Sequence, residues 1–139
     1  MRGPVILDTG PLVAYLHSRE LHHGWAKEQW NHLAPPLLTC EAALAEAGFI
    51  HKRLGGKTEE IVEFVVTGAV QVPFRLEEEA AAVIGLLKRY RNVPMSLADA
   101  CLVRMAEQHS DNVVFTLDSD FRIYRMHGRQ VIPTIMPSQ

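Results

Sequence analysis

The chain reads as an α/β protein, a three-layer α/β/α sandwich with a mainly parallel central sheet. Three observations predict this. Short apolar, β-branched stretches alternate with helices or helix pairs along the whole chain, and such alternation builds parallel strands joined by helical crossovers on both faces. The two clearest strands, "PVILD" and "NVVFTLD", are short continuous apolar runs of the kind buried on both faces. One helix, "SLADACLVRMAEQHS", is apolar almost all round and belongs in the interior. The 139 residues suit one domain spanning 1–139. Internal repeats, low-complexity tracts and linkers are absent.

The elements follow in order. "PVILD" is the first strand, and "GPLVAYL" starts a helix with Pro11 in its first turn, where proline is tolerated. "LHHGWAKEQWNHL" is amphipathic, with Trp25, Trp30 and Leu33 available for one side. "APPLLT" reads as a break. "CEAALAEAGFIHKRL" is an alanine-rich helix that Gly55-Gly56 ends, and "KTEEIVEFVVTG" is another that stops at Gly68. "AVQVPF" is a short strand. "LEEEAAAVIGLLKRY" carries acids early and bases late, as the helix dipole favours. Pro94 separates it from the apolar helix, whose N-cap is Ser96. "NVVFTLD" is the second clear strand, "SDFRIYRMHG" a short helix or turn, and "QVIPTI" the last short strand.

Composition narrows the class. The chain is 47% hydrophobic and 22% charged, in the range of a soluble globular protein. No stretch approaches the roughly 18 apolar residues that span a bilayer. "MRGPVILDTG" lacks the apolar core and cleavage site of a secretory signal, so a cytoplasmic protein is expected. Cys40 and Cys101 lie far apart in apolar contexts without a Cys-x-x-Cys pair, which excludes a zinc ribbon and predicts buried free thiols. The net charge of −2 does not announce a nucleic-acid binder. Basic residues do gather late, as Lys88-Arg89-Tyr90-Arg91 and then Arg122, Arg125 and Arg129.

Asp8 opens the chemical question. Asp-Thr-Gly is the active-site triplet of aspartic proteases, but those need a second copy or a symmetric partner in a β-rich fold. This chain has no second Asp-Thr-Gly, and Pro11 starts a helix at once. A phospho-aspartate phosphatase wants another Asp two residues on, and position 10 is Gly. Asp8 is therefore a metal ligand or a structural cap. Ligands of open parallel sheets bind beyond the carboxyl ends of the strands, and the two clear strands deliver Asp8 and Asp118 to that edge. Glu46 sits among Ala42, Ala43, Phe49 and Ile50 at helical spacing, where an unpartnered carboxylate is costly to bury, so it is expected to line a pocket. Asp99 has a competing reading, because Ser96-x-x-Asp99 matches a capping box. Carboxylates that converge without bases repel, and a hard divalent cation such as Mg²⁺ or Mn²⁺ resolves the repulsion. Such a site suits phosphodiester hydrolysis.

The stretches "VILDTGPLVAYL", "LLTCEAALAEAGFI", "SLADACLVRMAEQ" and "VVFTLDSDF" resemble, in this order, the motifs of the PIN-domain nucleases, most closely the VapC-type toxins of bacterial toxin–antitoxin pairs. The ordered set spans the chain nearly end to end. The resemblance implies a PIN-like α/β/α fold, an Mg²⁺/Mn²⁺ pocket, endoribonuclease activity on RNA, a partner antitoxin protein and a homodimer. The family's acidic quartet carries over to Asp8, Glu46, Asp99 and Asp118, and its hydroxyl to Thr116. Glu41 competes with Glu46, and Asp120 with Asp118; Glu46 is preferred for its "AEA" context and Asp118 for its place at the strand end. The rival class is a non-catalytic PIN-like binding module with the acids as caps. His17, His22 and His23 tempt a zinc reading but lack a completing ligand, so they are expected at the surface or a pocket rim.

Overall fold

The computed structural model describes residues 3–138. The chain runs through Val5–Leu7 (β1), Thr9–Leu16 (α1), His23–Asn31 (α2), Leu37–Leu38 (β2), Glu41–Arg53 (α3), Thr58–Val66 (α4), Val70–Gln71 (β3), Leu76–Arg89 (α5), Leu97–Gln108 (α6), Val113–Phe115 (β4), Arg125–Met126 (β5), Gln130–Val131 (β6) and Thr134–Ile135 (β7). Five strands form a parallel sheet in the order β3-β2-β1-β4-β7, and β5 and β6 form a separate antiparallel pair.

The period of two in the strands divides the core. Val5 and Leu7 of β1 and Val113 and Phe115 of β4 face one side, with Leu12, Val13, Leu37, Ile61, Trp25 and Trp30. Ile6 and Val114 face the other, with Leu102, Met105, Val83 and Tyr124. Both faces are covered by helices, which is why the strands are apolar at every position. Helix α6 is the interior helix foreseen: eight of its residues, Ala98 through Val103 and Met105 with Ala106, are buried. Burying a side chain such as Leu102 or Met105 contributes about 1.5–3 kcal/mol. The helix ends also follow the sequence. Ser96 and Asp99 form the reciprocal capping box of α6, and Gly55 and Gly68 take positive φ values of 96° and 82° after α3 and α4.

Two sequence readings are corrected. "APPLLT" is more than a break, because Leu37 and Leu38 form β2 between β1 and β3. Leu37 N–H donates to the Ala69 carbonyl at 2.9 Å and Thr39 N–H to that of Gln71 at 3.0 Å. A strand this short, directly behind Pro35-Pro36, leaves no periodicity to read. "QVIPTI" is not one strand: Gln130–Val131 pairs antiparallel with β5, and Thr134–Ile135 joins β4 in the main sheet. Pro133 cannot donate to a ladder and separates the two. The other half of the hairpin, β5, lies inside the segment read as a helix or turn.

Candidate metal centre

The sheet register builds the site. Leu7 pairs with Phe115 in parallel, and Asp8 N–H extends the ladder by donating to the Phe115 carbonyl at 3.0 Å. The next residue on each strand is then Asp8 beside Thr116, at the carboxyl edge. The Thr116 hydroxyl donates to Asp8 Oδ2 at 2.7 Å and accepts from Asp118 N–H at 2.9 Å. Thr116 is completely buried, so one hydroxyl joins the two strand ends. Asp8 Oδ1 accepts from Thr9 N–H at 2.7 Å and caps α1. Cap and site member are thus compatible roles for this residue. Asp118 Oδ1 accepts from Asp120 N–H at 2.9 Å, starting the 3₁₀ turn Ser119–Arg122.

Asp99 comes from the first turn of α6. Its Oδ2 accepts from Ser96 N–H at 3.3 Å, and its own N–H donates to Ser96 Oγ at 3.0 Å. The same Oδ2 accepts from the Tyr124 hydroxyl at 3.0 Å. The capping box is therefore real, and it does not exclude Asp99 from the centre: one potential ligand atom each of Asp8, Asp99 and Asp118 lies within 4.8 Å of the others.

Glu46 stands apart from these three. It is exposed on α3, outside the tight cluster: Ala42 and Ala43 turn to the core, while Phe49 and Ile50 are 62% and 37% exposed. Glu46 still senses the site from its rim. Partial burial and the charges of Asp99 and Asp118 raise its pKa, with the Ser96 hydroxyl acting in the opposite sense. Glu41 is exposed in the first turn of α3. Asp120 is half-buried beside the cluster but not a member of it.

The electrostatics are those of crowded acids. Burial pushes Asp8 up from 3.8 to about 7, against the hydrogen bonds from Thr116 and Thr9 and assisted by the charges of Asp99 and Asp118. Burial likewise raises Asp99, against its bonds to Ser96 and Tyr124 and with Asp118 adding to the rise. Among the described residues, no Lys, Arg or His forms an ion pair with Asp8, Glu46, Asp99 or Asp118. An all-oxygen donor set with excess negative charge and no basic counterweight fits a hard divalent cation.

The other candidates have structural employment. Cys40 and Cys101 are free and buried. Trp25 and Trp30 lie 5.6 and 6.2 Å from the Phe115 ring and pack in the core. His17 Nε2 lies 2.6 Å from His51 Nδ1, and His51 Nε2 lies 2.9 Å from Glu60 Oε1, so His17 ties the end of α1 to α3 and α4. His23 Nδ1 lies 2.7 Å from the Ala14 carbonyl. Of the late basic group, Arg89, Arg91 and Arg125 donate to backbone carbonyls. Arg122, four residues after Asp118, is exposed and has no side-chain partner among the described residues. The residue that sequence reasoning missed is Tyr124. It is fully buried and touches Asp99 from a segment without helical or strand periodicity, so nothing local marks it.

A parallel sheet flanked by helices, with three carboxylates at its carboxyl edge, defines the class, and the chain belongs to the PIN domain family, which it matches over residues 5–125. Its structure is similar to the crystal structure of Mycobacterium tuberculosis VapC20, a sarcin-ricin loop cleaving toxin, with a TM-score of 0.77 and 19% sequence identity, over 91% of this chain and 98% of that one. At this identity the likeness concerns the fold. No curated protein matches the chain in sequence. Among the described residues, no helix is long and apolar enough to cross a membrane.

Proposed function

We propose that this PIN-domain protein is a Mg²⁺- or Mn²⁺-dependent endoribonuclease and the toxin of a toxin–antitoxin pair. The observation that carries the reading is the convergence of Asp8, Asp99 and Asp118 within 4.8 Å without a basic partner. Three carboxylates from a strand end, a 3₁₀ cap and a helix gain nothing from one another; a cation gives them a common purpose. When bound, such a metal polarises the scissile phosphate and lowers the pKa of water.

The chain's own residues supply the rest. Asp8, Asp99 and Asp118 hold the cation, and Thr116 keeps Asp8 and Asp118 in register through its two hydrogen bonds. Glu46, at the exposed rim, would hold it directly or through water, and the Thr116 hydroxyl would orient a carboxylate or water. Water attacks the phosphorus in line, leaving a 5′-phosphate and a 3′-hydroxyl. Exposed Arg122 is available to the RNA backbone. The toxin role rests on the family and on the fold shared with VapC20. It implies an antitoxin whose basic side chain, best an arginine, enters the pocket and pairs with the carboxylates. A homodimer is expected, with exposed Val62 and Val66 of α4 as candidate contact residues; a light-scattering mass near the 15.6 kDa monomer would count against it.

The test is cleavage of a mixed RNA pool with Mn²⁺, with Mg²⁺ and with EDTA, beside calorimetric titration with Mn²⁺. Metal-dependent cleavage with 5′-phosphate ends supports the reading. Undiminished cleavage in EDTA, or no Mn²⁺ binding and no cleavage, would refute it; the latter result fits a binding module.

A further inference from the structure

Asp99 is held differently from its two companions. Asp8 directly follows β1, Asp118 lies just beyond β4 as the cap of the 3₁₀ turn, and both bond to Thr116. Asp99 sits in the first turn of a helix, and a carboxylate there has two soft dihedrals of its own. Its Oδ2 takes two donors from the protein, Ser96 N–H at 3.3 Å and the Tyr124 hydroxyl at 3.0 Å. The Tyr124 contact is the shorter. Asp99 Oδ1 receives no hydrogen bond from the described residues.

The surroundings of Tyr124 show that its ring and its hydroxyl do separate jobs. The residue is fully buried. Its ring packs edge-on against Tyr90 at 5.1 Å and Phe121 at 5.2 Å, which phenylalanine could do equally well. The hydroxyl is a different matter, because burying one without a partner costs about 1–3 kcal/mol. Its partner is the Asp99 carboxylate. Tyr90 provides the internal comparison. Its hydroxyl accepts from Arg125 N–H at 2.9 Å, a bond to backbone that pins the residue after Tyr124 and reaches no carboxylate. Two neighbouring tyrosines thus place one hydroxyl on the chain and the other on the acidic cluster.

We propose that Tyr124 is a positioning residue for metal binding: its hydroxyl holds Asp99 Oδ2 and so leaves Oδ1 for a cation shared with Asp8 and Asp118. This rests on the metal reading above. Groups that orient a ligand from behind typically change metal affinity by about 10–100-fold when removed. Tyr124→Phe keeps the ring and its packing, deletes the donor, and frees the carboxylate to sample orientations that do not meet the cation.

The experiment is calorimetric titration of Mn²⁺ into the wild type, Tyr124→Phe, Tyr90→Phe, Asp99→Asn and the Asp99→Asn/Tyr124→Phe double variant, with circular dichroism to confirm folding. Tyr124→Phe should bind Mn²⁺ about ten-fold more weakly. Tyr90→Phe should bind as the wild type does, since its hydroxyl touches no site carboxylate. In the Asp99→Asn background, adding Tyr124→Phe should change affinity little further, because the effect runs through Asp99. Wild-type affinity in Tyr124→Phe overturns the positioning role alone, as does an equal loss in Tyr90→Phe, which would report general loosening of the aromatic cluster. In the double variant, a further ten-fold loss beyond Asp99→Asn means that Tyr124 does not act through Asp99 and overturns the positioning role. No Mn²⁺ binding by the wild type overturns the metal reading itself.

Discussion

Replacing Asp8 by Asn separates a site carboxylate from a helix cap. Without metal, burial lifts the Asp8 carboxyl from 3.8 to about 7. An acid raised on folding favours the folded state below its unfolded pKa, and that contribution is lost as pH rises through the folded value. At pH 8 the ionised carboxylate therefore destabilises the metal-free fold by about 4 kcal/mol, from roughly three pKa units at 1.36 kcal/mol each. Asn removes that penalty. It can still accept from Thr9 N–H, but its amide nitrogen faces Thr116, whose hydroxyl proton then loses its acceptor at a cost of about 1–3 kcal/mol. The net gain is about 2 kcal/mol at pH 8, which is roughly 6 °C for a domain of this size. At pH 5 the penalty on Asp8 shrinks to about 2 kcal/mol, and the advantage of Asn should vanish. Mn²⁺ at a hundred times its Kd should stabilise the wild type by about 2.7 kcal/mol and the variant much less. Thermal melting at pH 8 and pH 5, with and without Mn²⁺, reads all of this, and a mixed RNA pool reads cleavage. A variant that melts below the wild type at pH 8, or gains equally from Mn²⁺, or cleaves RNA at the wild-type rate, would refute the reasoning.

Three further outcomes are expected. Leu102→Ala empties a fully buried position in α6 and should cost about 2–5 kcal/mol in urea unfolding; a loss under about 1 kcal/mol would mean that α6 is not the central helix. Gly56→Ala would drive a Cβ into the His51 ring, so it should lower the melting temperature by several degrees at neutral pH, and an unchanged value would remove that contact. Burial and then His51 hold His17 below its ordinary 6.5, with Glu20 and Glu60 opposing and His23 reinforcing. The folded state thus prefers neutral His17, and this contribution is present above 6.5 and lost as pH falls through the lowered value. His17→Gln should narrow its melting deficit against the wild type between pH 8 and pH 5.5, and a constant deficit would sink the assignment.

Elements whose signals are local can be read from the residues alone. The apolar runs ending at Asp8 and Asp118 became adjacent parallel strands. The Ser96-x-x-Asp99 spacing became a capping box, and the apolar circumference of α6 placed it inside. These follow from periodicity, capping and burial, which neighbouring residues specify. Other features needed the tertiary structure because their causes lie far apart in the chain. Leu37–Leu38 is a strand only because Ile6 on one side and Val70 on the other supply its partners. The register of β1 on β4 brings Thr116 to Asp8 across 108 residues of chain. For Asp99 the sequence offered a cap or a ligand, and the packing of α6 against the sheet shows the cap at the edge of the acidic cluster. Glu46 was expected in a pocket from its apolar neighbours; the structure turns Ala42 and Ala43 to the core, exposes Phe49 and Ile50, and leaves Glu46 exposed at the rim. Tyr124 carries no local signature at all. Its meaning comes from one hydrogen bond to a carboxylate 25 residues earlier, and a pairing of that kind is written only when the chain folds back on itself.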